Sequence, residues 1–177
     1  MIPFPNKKYS VIYADPPWEM TRSFGGANWK SGERKRPVLD YPTMPFDEIK
    51  NLPIAGISDV NCNLYLWVTQ KYLEKSFGLV RHWGFKPIMT LVWCKPKGGF
   101  VGGAYFSNIE FLLYSRKGSA GIKKKINSQW FSLPKGRHSK KPDEIRQMIN
   151  SVHKGQTGIE LFARQKTPGW DVWGDEV

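Results

Sequence analysis

The chain has 177 residues, of which 40% are hydrophobic and 14% aromatic. This length and composition are typical of one compact domain over residues 1–177, and they argue against a disordered chain or a multidomain machine. Lysine and arginine number 27 against 15 acidic residues, so the net charge is +12. A charge this far from neutrality predicts a polyanionic partner, and nucleic acid is the first candidate.

Cysteine usage and hydropathy indicate the compartment. Cys62 and Cys94 are far apart and have no histidine or cysteine at zinc-ligand spacing, so the sequence predicts neither a metal site nor a disulfide framework. No apolar run approaches the roughly 18 residues that span a bilayer. Residues 1–8 lead into no apolar signal-peptide core. We therefore expect a soluble, cytoplasmic protein that is not attached to a membrane.

The first half of the chain alternates buried strands with helices. Residues 10–15 read as a buried strand that Pro16 and Pro17 stop, because proline donates no hydrogen bond to a sheet. Residues 21–42 are rich in glycine and charge and poor in apolar side chains, which predicts a long mobile loop. The next predicted elements are a short helix, a second buried strand and a longer helix, over 46–50, 64–69 and 70–83.

The second half continues the alternation. Two strands are predicted over 87–94 and 108–114, with a glycine-rich turn between them, and the basic stretch 118–141 is a second predicted mobile loop with room for a short strand. Pro142 marks the first position of a helix, and residues 158–162 form the last strand. Strands and helices alternate without internal repeats, so we expect a mainly parallel, doubly wound α/β sheet.

Four consecutive residues, Asp15-Pro16-Pro17-Trp18, carry the sharpest chemical signal. Asp15 stands at the carboxyl end of a predicted strand, where such sheets bind ligands. The exocyclic amine of adenine is a weak nucleophile because its lone pair is delocalised into the ring. If the Asp15 carboxylate and the Pro16 carbonyl each accept one of its hydrogens, the nitrogen is drawn towards tetrahedral geometry and its developing positive charge is stabilised.

Trp18 completes this interpretation by stacking on an adenine that has been flipped out of its helix. The alternative is that a strand ends in a rigid turn and packs a tryptophan against the core. Trp67 and Trp93 lie within predicted strands, and we expect both in the core.

The motif belongs to a wider pattern. Its segments are Asp15–Trp18, Tyr41–Met44, Leu64–Thr69, Trp83–Phe85, Trp93–Lys95, Ser139–Glu144 and Glu160–Arg164. In order and spacing they resemble the MT-A70 family of S-adenosylmethionine-dependent adenine-N6 methyltransferases, here a small bacterial or phage-type DNA adenine methylase. The resemblance implies a Rossmann-like methyltransferase fold, with a mostly parallel sheet, helices on both faces and a permuted order in which the catalytic motif precedes the cofactor-binding end.

On the substrate side, the resemblance implies that Asp15 to Trp18 form the catalytic group. Asp15 and Pro16 would hold the target amine, Pro17 would keep the turn rigid, and Trp18 and Tyr41 would line the adenine pocket.

On the cofactor side, the resemblance implies S-adenosylmethionine, bound by Asp15 and by four residues near the end of the chain. Lys141 would contact the carboxylate end of the cofactor. Arg164, Asp175 and Glu176 would meet its ribose and adenine. No Gly-x-Gly loop follows a strand, which disfavours NAD and ATP more than S-adenosylmethionine.

Basic runs flank the two predicted loops. We interpret Arg34, Lys35 and Arg36, the triplet 123–125 and the stretch 135–141 as phosphate contacts that position the strand. His138 is interpreted in the same way, because the amine needs no deprotonation before attack. The alternative is that these charge runs are solvated loops.

Three functions remain open from the sequence. The first is adenine-N6 methylation of DNA, since the chain is small and lacks the cysteine-rich RNA-binding extension of RNA-modifying relatives. The second is the same reaction on RNA. The third is a non-catalytic nucleic-acid-binding member, which the intact Asp15 motif disfavours. The chain could act as a monomer or a homodimer.

Overall fold

The computed structural model describes residues 2–19, 42–97, 100–102, 104–136 and 140–177. Its strands are β1 (Tyr9–Ala14), β2 (Ser58–Val68), β3 (Lys86–Cys94), β4 (Phe100–Gly102), β5 (Tyr105–Ser107), β6 (Ile109–Lys117), β7 (Trp130–Ser132), β8 (Gly158–Leu161) and β9 (Asp171–Trp173). Its helices are α1 (Phe46–Lys50), α2 (Ile54–Ile57), α3 (Leu73–His82) and α4 (Asp143–Val152), and a 3-10 turn over Gln70–Tyr72 precedes α3.

Seven strands form one sheet in the order β7-β3-β6-β2-β1-β8-β9, and β4 and β5 form a separate hairpin. Within the seven-stranded sheet, β6 is antiparallel to both of its neighbours, and the remaining pairs of neighbouring strands are parallel. The chain passes from β3 to β6 through the hairpin without a crossover helix, and such a connection returns the chain in the opposite direction. The predicted mostly parallel sheet is confirmed, with this one reversal.

Helices cover both faces of the sheet, as expected. Residues of α1, α2 and α3 pack with Ile12, Leu64 and Leu66 on one face. On the other face Ile145 and Ile149 of α4 pack with a second cluster of side chains, which includes Val11, Tyr13, Tyr65, Trp67 and Trp93. Because side chains alternate along a strand, each central strand contributes to both clusters. Trp67 and Trp93 are buried there, so their predicted place in the core is confirmed.

Several element boundaries differ from prediction. β2 begins at Ser58, six residues before the predicted start, and its first half is polar. Pro142 has extended backbone angles (φ −59°, ψ 131°) and caps α4 from outside, so the helix begins one residue later than predicted. The short helix α2 and the β4–β5 hairpin have no counterpart in the prediction.

The two predicted loops have different outcomes. Most of the first, residues 21–41, lies outside the described residues. The described part of the second contains β7, and the Lys123 N–H donates to the Val152 carbonyl at the end of α4 (2.9 Å). None of the helices within the described ranges is long and apolar enough to cross a membrane.

Candidate active site

The carboxyl ends of the parallel strands share one edge of the sheet, which we call the carboxyl edge. Asp15, Thr69 and Lys95 directly follow β1, β2 and β3. Glu110 reaches the same edge because β6 runs in the opposite direction and begins there. These four residues continue the alternation that buries Tyr13, Trp67, Trp93 and Leu112 beneath α4. The fold therefore places them on one face, next to the start of α4.

The Asp15-Pro16-Pro17 turn is held by three backbone hydrogen bonds. The Asp15 N–H donates to the Leu161 carbonyl (3.5 Å), and the Trp18 N–H donates to the Pro16 carbonyl (2.8 Å). The Met44 N–H donates to the Pro17 carbonyl (2.8 Å). A carbonyl oxygen accepts two hydrogen bonds, so that of Pro16 keeps one lone pair for a ligand. The two prolines thus hold the Asp15 carboxylate and the Pro16 carbonyl in fixed positions.

Trp18 is packed against other aromatic side chains among the described residues. Its side chain is only 5% exposed, and its ring stacks on Tyr72 with the ring centroids 4.9 Å apart. Phe46 lies beyond Trp18 in a second stacked contact, and the indole N–H donates to the Trp67 carbonyl (2.9 Å). Trp18 anchors the turn to the core, which is the alternative that the sequence left open.

An ion cluster surrounds Asp15. The Lys141 ammonium lies 2.8 Å from Asp15 Oδ2 and 3.4 Å from Glu110 Oε2. Lys95 in turn donates to Glu110 Oε1. Charges removed from water are costly unless they are paired, and here positive and negative groups alternate along the chain of contacts. Lys141 also lies over the Trp67 ring, 5.4 Å from its centroid, which holds the ammonium in place.

The cluster fixes the charge states of its members. Burial raises the pKa of Asp15, and Lys141 opposes this rise. Burial alone would lower the pKa of Lys141, but the carboxylates of Asp15 and Glu110 raise it above its ordinary value. Burial would also raise the pKa of Glu110, yet Lys141 and Lys95 hold it below its usual range. Lys141 is therefore charged at neutral pH, and Asp15 is the more easily protonated of the two carboxylates.

A second buried pair lies next to this cluster. Arg146 of α4 donates to Glu160 Oε1 of β8 (3.0 Å), and burial raises the pKa of Glu160. Glu160 Oε2 and Thr69 Oγ1 are buried and have no hydrogen-bond partner among the described residues. Buried polar atoms are normally paired, so these two are free to bind a ligand at this edge.

The ends of β8 and β9 meet at the same edge. Phe162 has a positive φ of 61°, and the Ala163 N–H donates to the Trp173 carbonyl (3.0 Å). Gly174 is required here because a Cβ would clash with the Ala163 carbonyl. Arg164 Nε lies 3.6 Å from Glu176 Oε1. The structure thus brings together Arg164 and Glu176, two of the predicted cofactor residues, with Asp175 exposed between Gly174 and Glu176.

The structure does not describe all of the predicted site residues. Tyr41, Arg34, Lys35, Arg36 and His138 lie outside the described residues. The triplet 123–125 lies at the opposite edge, where the Lys123 ammonium donates to the Lys154 carbonyl (2.8 Å). This triplet therefore lies away from the Asp15 turn, because the second predicted loop begins at the amino edge of the sheet, where β6 ends.

Glu110 and Lys95 were missed by sequence reasoning. Lys95 directly follows a predicted apolar strand and Glu110 is the third residue of another, and a single charge near the end of a strand usually marks only its boundary. The signal that could have identified Glu110 is its isolation in Asn-Ile-Glu-Phe-Leu-Leu, where a carboxylate within an apolar run needs a partner.

Two open cavities of the described surface lie elsewhere. One is lined by residues of the amino edge, including Asn63 and Gln156, and the other lies beside α3. Neither includes Asp15, whose neighbours along the chain beyond residue 19 lie outside the described residues.

Comparisons with known proteins agree with this geometry. The sequence model of the MT-A70 family matches residues 9–176. The type II methyltransferase M.MunI of Mycoplasma sp is 32% identical over 186 residues, covering 98% of this chain and 79% of the relative. The human N(6)-adenosine-methyltransferase catalytic subunit METTL3 is 27% identical over 180 residues, covering 96% of this chain but only 28% of the relative.

A plant relative shows the same partial coverage. The putative N(6)-adenosine-methyltransferase MT-A70-like protein of Medicago truncatula is 27% identical and matches 96% of this chain but 26% of its own length. The chain thus spans about a quarter of the adenosine methyltransferases that it matches and most of the type II methyltransferase. With the family match over nearly all of its length and the Rossmann-like sheet in permuted order, the chain belongs to the MT-A70 family of methyltransferases.

Proposed function

We propose that the chain transfers a methyl group from S-adenosylmethionine to the exocyclic N6 of adenine in DNA. The observation that carries the proposal is the Asp15-Pro16 turn, in which a carboxylate and a carbonyl with a spare lone pair are held at the carboxyl edge beside a buried ammonium. Two fixed acceptors next to each other match an amine that has two hydrogens to donate.

S-adenosylmethionine is the methyl donor of the family, and the residues of this edge fit it. Lys141 uses two of its three donor positions on Asp15 and Glu110, which leaves one for a carboxylate. The paired Arg164 and Glu176, with Asp175 beside them, offer donors and acceptors for ribose hydroxyls and the cofactor adenine. The unpartnered Glu160 Oε2 and Thr69 Oγ1 are further acceptors at this edge. When bound, the cofactor supplies an electrophilic methyl group.

The residues of this chain prepare the adenine amine for attack. Asp15 and the Pro16 carbonyl each accept one N6 hydrogen, which directs the nitrogen lone pair out of the ring plane. Positive charge develops on N6 as its bond to the methyl carbon forms, and the negative Asp15 carboxylate stabilises that charge. N6 then loses one hydrogen as a proton, to Asp15 or to water. The raised pKa of Asp15 favours its role as the acceptor.

Similarity supports DNA as the substrate, because the relative that the chain covers to 79% is a type II methyltransferase. RNA is the second candidate substrate, because the adenosine methyltransferases match 96% of this chain.

We further propose that the target adenine is flipped out of its helix to reach Asp15, since the amine is inaccessible within a stacked duplex. Tyr41 contacts the flipped base in this proposal, and Arg34, Lys35, Arg36 and His138 contact phosphates. The net charge of +12 supports a polyanionic substrate.

The reaction and its substrate can be tested together. Purified protein is incubated with S-adenosylmethionine and with unmethylated DNA or RNA of matched sequence, and the nucleosides of nuclease digests are quantified by mass spectrometry. We expect N6-methyladenine in DNA, with less in RNA. Product in RNA alone would replace DNA by RNA, and product in neither would refute the enzymatic proposal. A non-catalytic member would still bind both nucleic acids.

A further inference from the structure

The β4–β5 hairpin presents two uncovered aromatic side chains. Tyr105 is 84% exposed and Phe106 is 54% exposed. Successive side chains of a strand point to opposite faces, so the two rings lie on opposite faces of the hairpin. Neither ring belongs to a hydrophobic cluster within the part of the chain that the structure describes. Adjacent large apolar side chains left open to water commonly mark a binding surface.

The hairpin rises directly from the candidate active site. Its base is closed by the Lys95 N–H, which donates to the Asn108 carbonyl (2.9 Å), and by the Asn108 side-chain amide, which donates back to the Lys95 carbonyl (3.4 Å). Lys95 and the nearby Glu110 belong to the ion cluster, and Lys141 links that cluster to Asp15. The strand that carries the two aromatic rings is therefore connected to the catalytic turn through hydrogen bonds and ion pairs.

The distance from the base of the hairpin to Tyr105 corresponds to a few nucleotides. Tyr105 lies three residues before Asn108, which in an extended strand is about 10 Å. Stacked bases repeat about every 3.4 Å along a strand. A nucleic acid with its target adenine at Asp15 would thus pass the rings within a few nucleotides of that adenine.

The charges around the hairpin suit the same ligand. Exposed lysines follow β3, from which the hairpin starts, and its neighbour β7, namely Lys97 and Lys135. Exposed carboxylates at the edge are in part neutralised, since Asp143 pairs with Lys140 and Glu176 with Arg164. Aromatic rings set among lysines are the combination that binds unpaired nucleotides, because the rings stack on bases while the lysines contact phosphates.

We propose that Tyr105 and Phe106 form a stacking platform with one ring on each face of the hairpin, so that each ring stacks on an unpaired base that flanks the target adenine. This inference rests on the proposed function and deepens it, because it names the form of the substrate: a single strand, or a duplex opened around the target. Stacking engages the π-face that all bases share, so the platform holds the strand without selecting its sequence.

The test replaces the aromatic rings while keeping the surface apolar. We compare the parent chain with three variants: the double variant Tyr105→Leu/Phe106→Leu, the conservative variant Tyr105→Trp and the control Val60→Ser. Val60 suits the control because it is 74% exposed in the first half of β2, away from the carboxyl edge. The probes are fluorescein-labelled single-stranded DNA and RNA, each with one adenine, and the same DNA strand with abasic sites beside that adenine. Affinity is measured by anisotropy over a range of salt concentrations.

We expect the double leucine variant to bind the DNA strand more weakly by about tenfold or more for each lost ring, with an unchanged salt slope. Tyr105→Trp and Val60→Ser should bind like the parent chain, and the abasic strand should bind parent and double variant equally. The RNA arm shows whether the platform serves both nucleic acids. A double variant within about twofold of the parent, or one weakened equally on the abasic strand, would overturn the proposal.

Two further readouts distinguish the stacking platform from a dimer interface and from the methyl transfer itself. If the hairpin instead pairs two copies of the chain, sedimentation will show a dimer that the double variant converts to a monomer, and the platform is refuted. Methylation by the parent chain is measured on the same strands. If the double variant methylates as the parent chain does, the stacking platform is refuted and the proposed methyl transfer is supported. If binding depends on the rings but no methylation is detected, the platform is supported and the proposed methyl transfer is refuted.

Discussion

At the scale of single residues, two ion pairs of this chain differ sharply in burial. Glu110 pairs with Lys95 and Lys141, and the three side chains are 12% to 21% exposed. Lys7 and Asp171 form a pair at the surface, where the side chains are 54% and 46% exposed. Loss of one partner of a buried pair leaves an uncompensated charge and costs about 3–5 kcal/mol, whereas an exposed pair contributes at most about 1 kcal/mol.

We therefore expect Glu110→Gln to lower the free energy of unfolding by about 3 kcal/mol, and Asp171→Asn by less than about 1 kcal/mol. Urea unfolding of both variants at neutral pH measures the difference. Equal losses would show that the ion cluster is not the buried, tightly paired group described above.

His153 is a second residue with a testable charge state. Its ring is buried, and its Nε2 lies 2.9 Å from the Tyr65 hydroxyl. Burial lowers the pKa of His153 from 6.5 to about 4. Between these values the unfolded chain binds a proton that the folded chain does not, so stability falls as the pH falls from about 6.5 to about 4.

The expected contribution of His153 is a loss of up to about 2 kcal/mol between about pH 7 and about pH 5. His153→Gln keeps a hydrogen-bonding group beside Tyr65 and removes the titration, so its stability should fall less over the same interval. Unfolding curves of both chains at the two pH values make the comparison. A variant with the same pH dependence as the parent would contradict the role of His153.

At the scale of elements, the contact between the ends of β8 and β9 positions the proposed cofactor residues. A Cβ at Gly174 would clash with the Ala163 backbone, whereas one at Gly78 in α3 would meet nothing within 4 Å. Gly174→Ala should therefore cost about 2 kcal/mol or more of stability and weaken S-adenosylmethionine binding. Gly78→Ala should gain up to about 1 kcal/mol, because glycine is a poor helix former.

Thermal unfolding and calorimetric titration with S-adenosylmethionine measure the two effects. The prediction fails if Gly174→Ala binds the donor as tightly as Gly78→Ala does, since the loop contact would then be irrelevant to the cofactor.

Which elements the sequence could predict follows from where their stabilising contacts lie. β1 was predictable because its apolar run and the two prolines that end it are local signals. The first half of β2 was not, since its polar residues gain partners from distant segments: the Tyr114 hydroxyl donates to Asn63 (2.8 Å), and the Ser119 N–H donates to Asn61 (2.7 Å).

Among the site residues, too, local signals were predictable and contacts between distant segments were not. Asp15 was predictable from its motif, whereas Glu110 depends on Lys95 and Lys141, which come together only because β6 runs against its neighbours. The motif singled out Trp18, but its stacking on Tyr72 and Phe46 could not be predicted, because those rings come from other parts of the chain.

At the scale of the whole molecule, the net charge of +12 comes from basic residues in several segments of the chain. The triplet 123–125 lies at the amino edge, away from Asp15. In the proposed function, Arg34, Lys35 and Arg36 contact phosphates, although they lie outside the described residues. Each phosphate contact contributes about 0.7–0.9 to the slope of log affinity against log salt.

Replacing Arg34, Lys35 and Arg36 together by alanine should flatten that slope by about 2, and replacing residues 123–125 should flatten it by less than about 1. The two triple variants carry the same change in charge, so each is the control for the other. Equal slopes for the two variants would show that binding depends on total charge and not on which of the two basic triplets carries it.

The central claim is that Asp15 activates the adenine amine at the carboxyl edge, and the single-turnover rate of methyl transfer tests it most directly. Asp15→Asn is compared with Asp171→Asn, which changes a surface carboxylate, while donor affinity is measured separately by calorimetry. We predict a fall of about 10²- to 10³-fold in the rate for Asp15→Asn, with donor binding partly retained, and an unchanged rate for Asp171→Asn. A folded Asp15→Asn chain that methylates adenine at the parental rate would contradict the account.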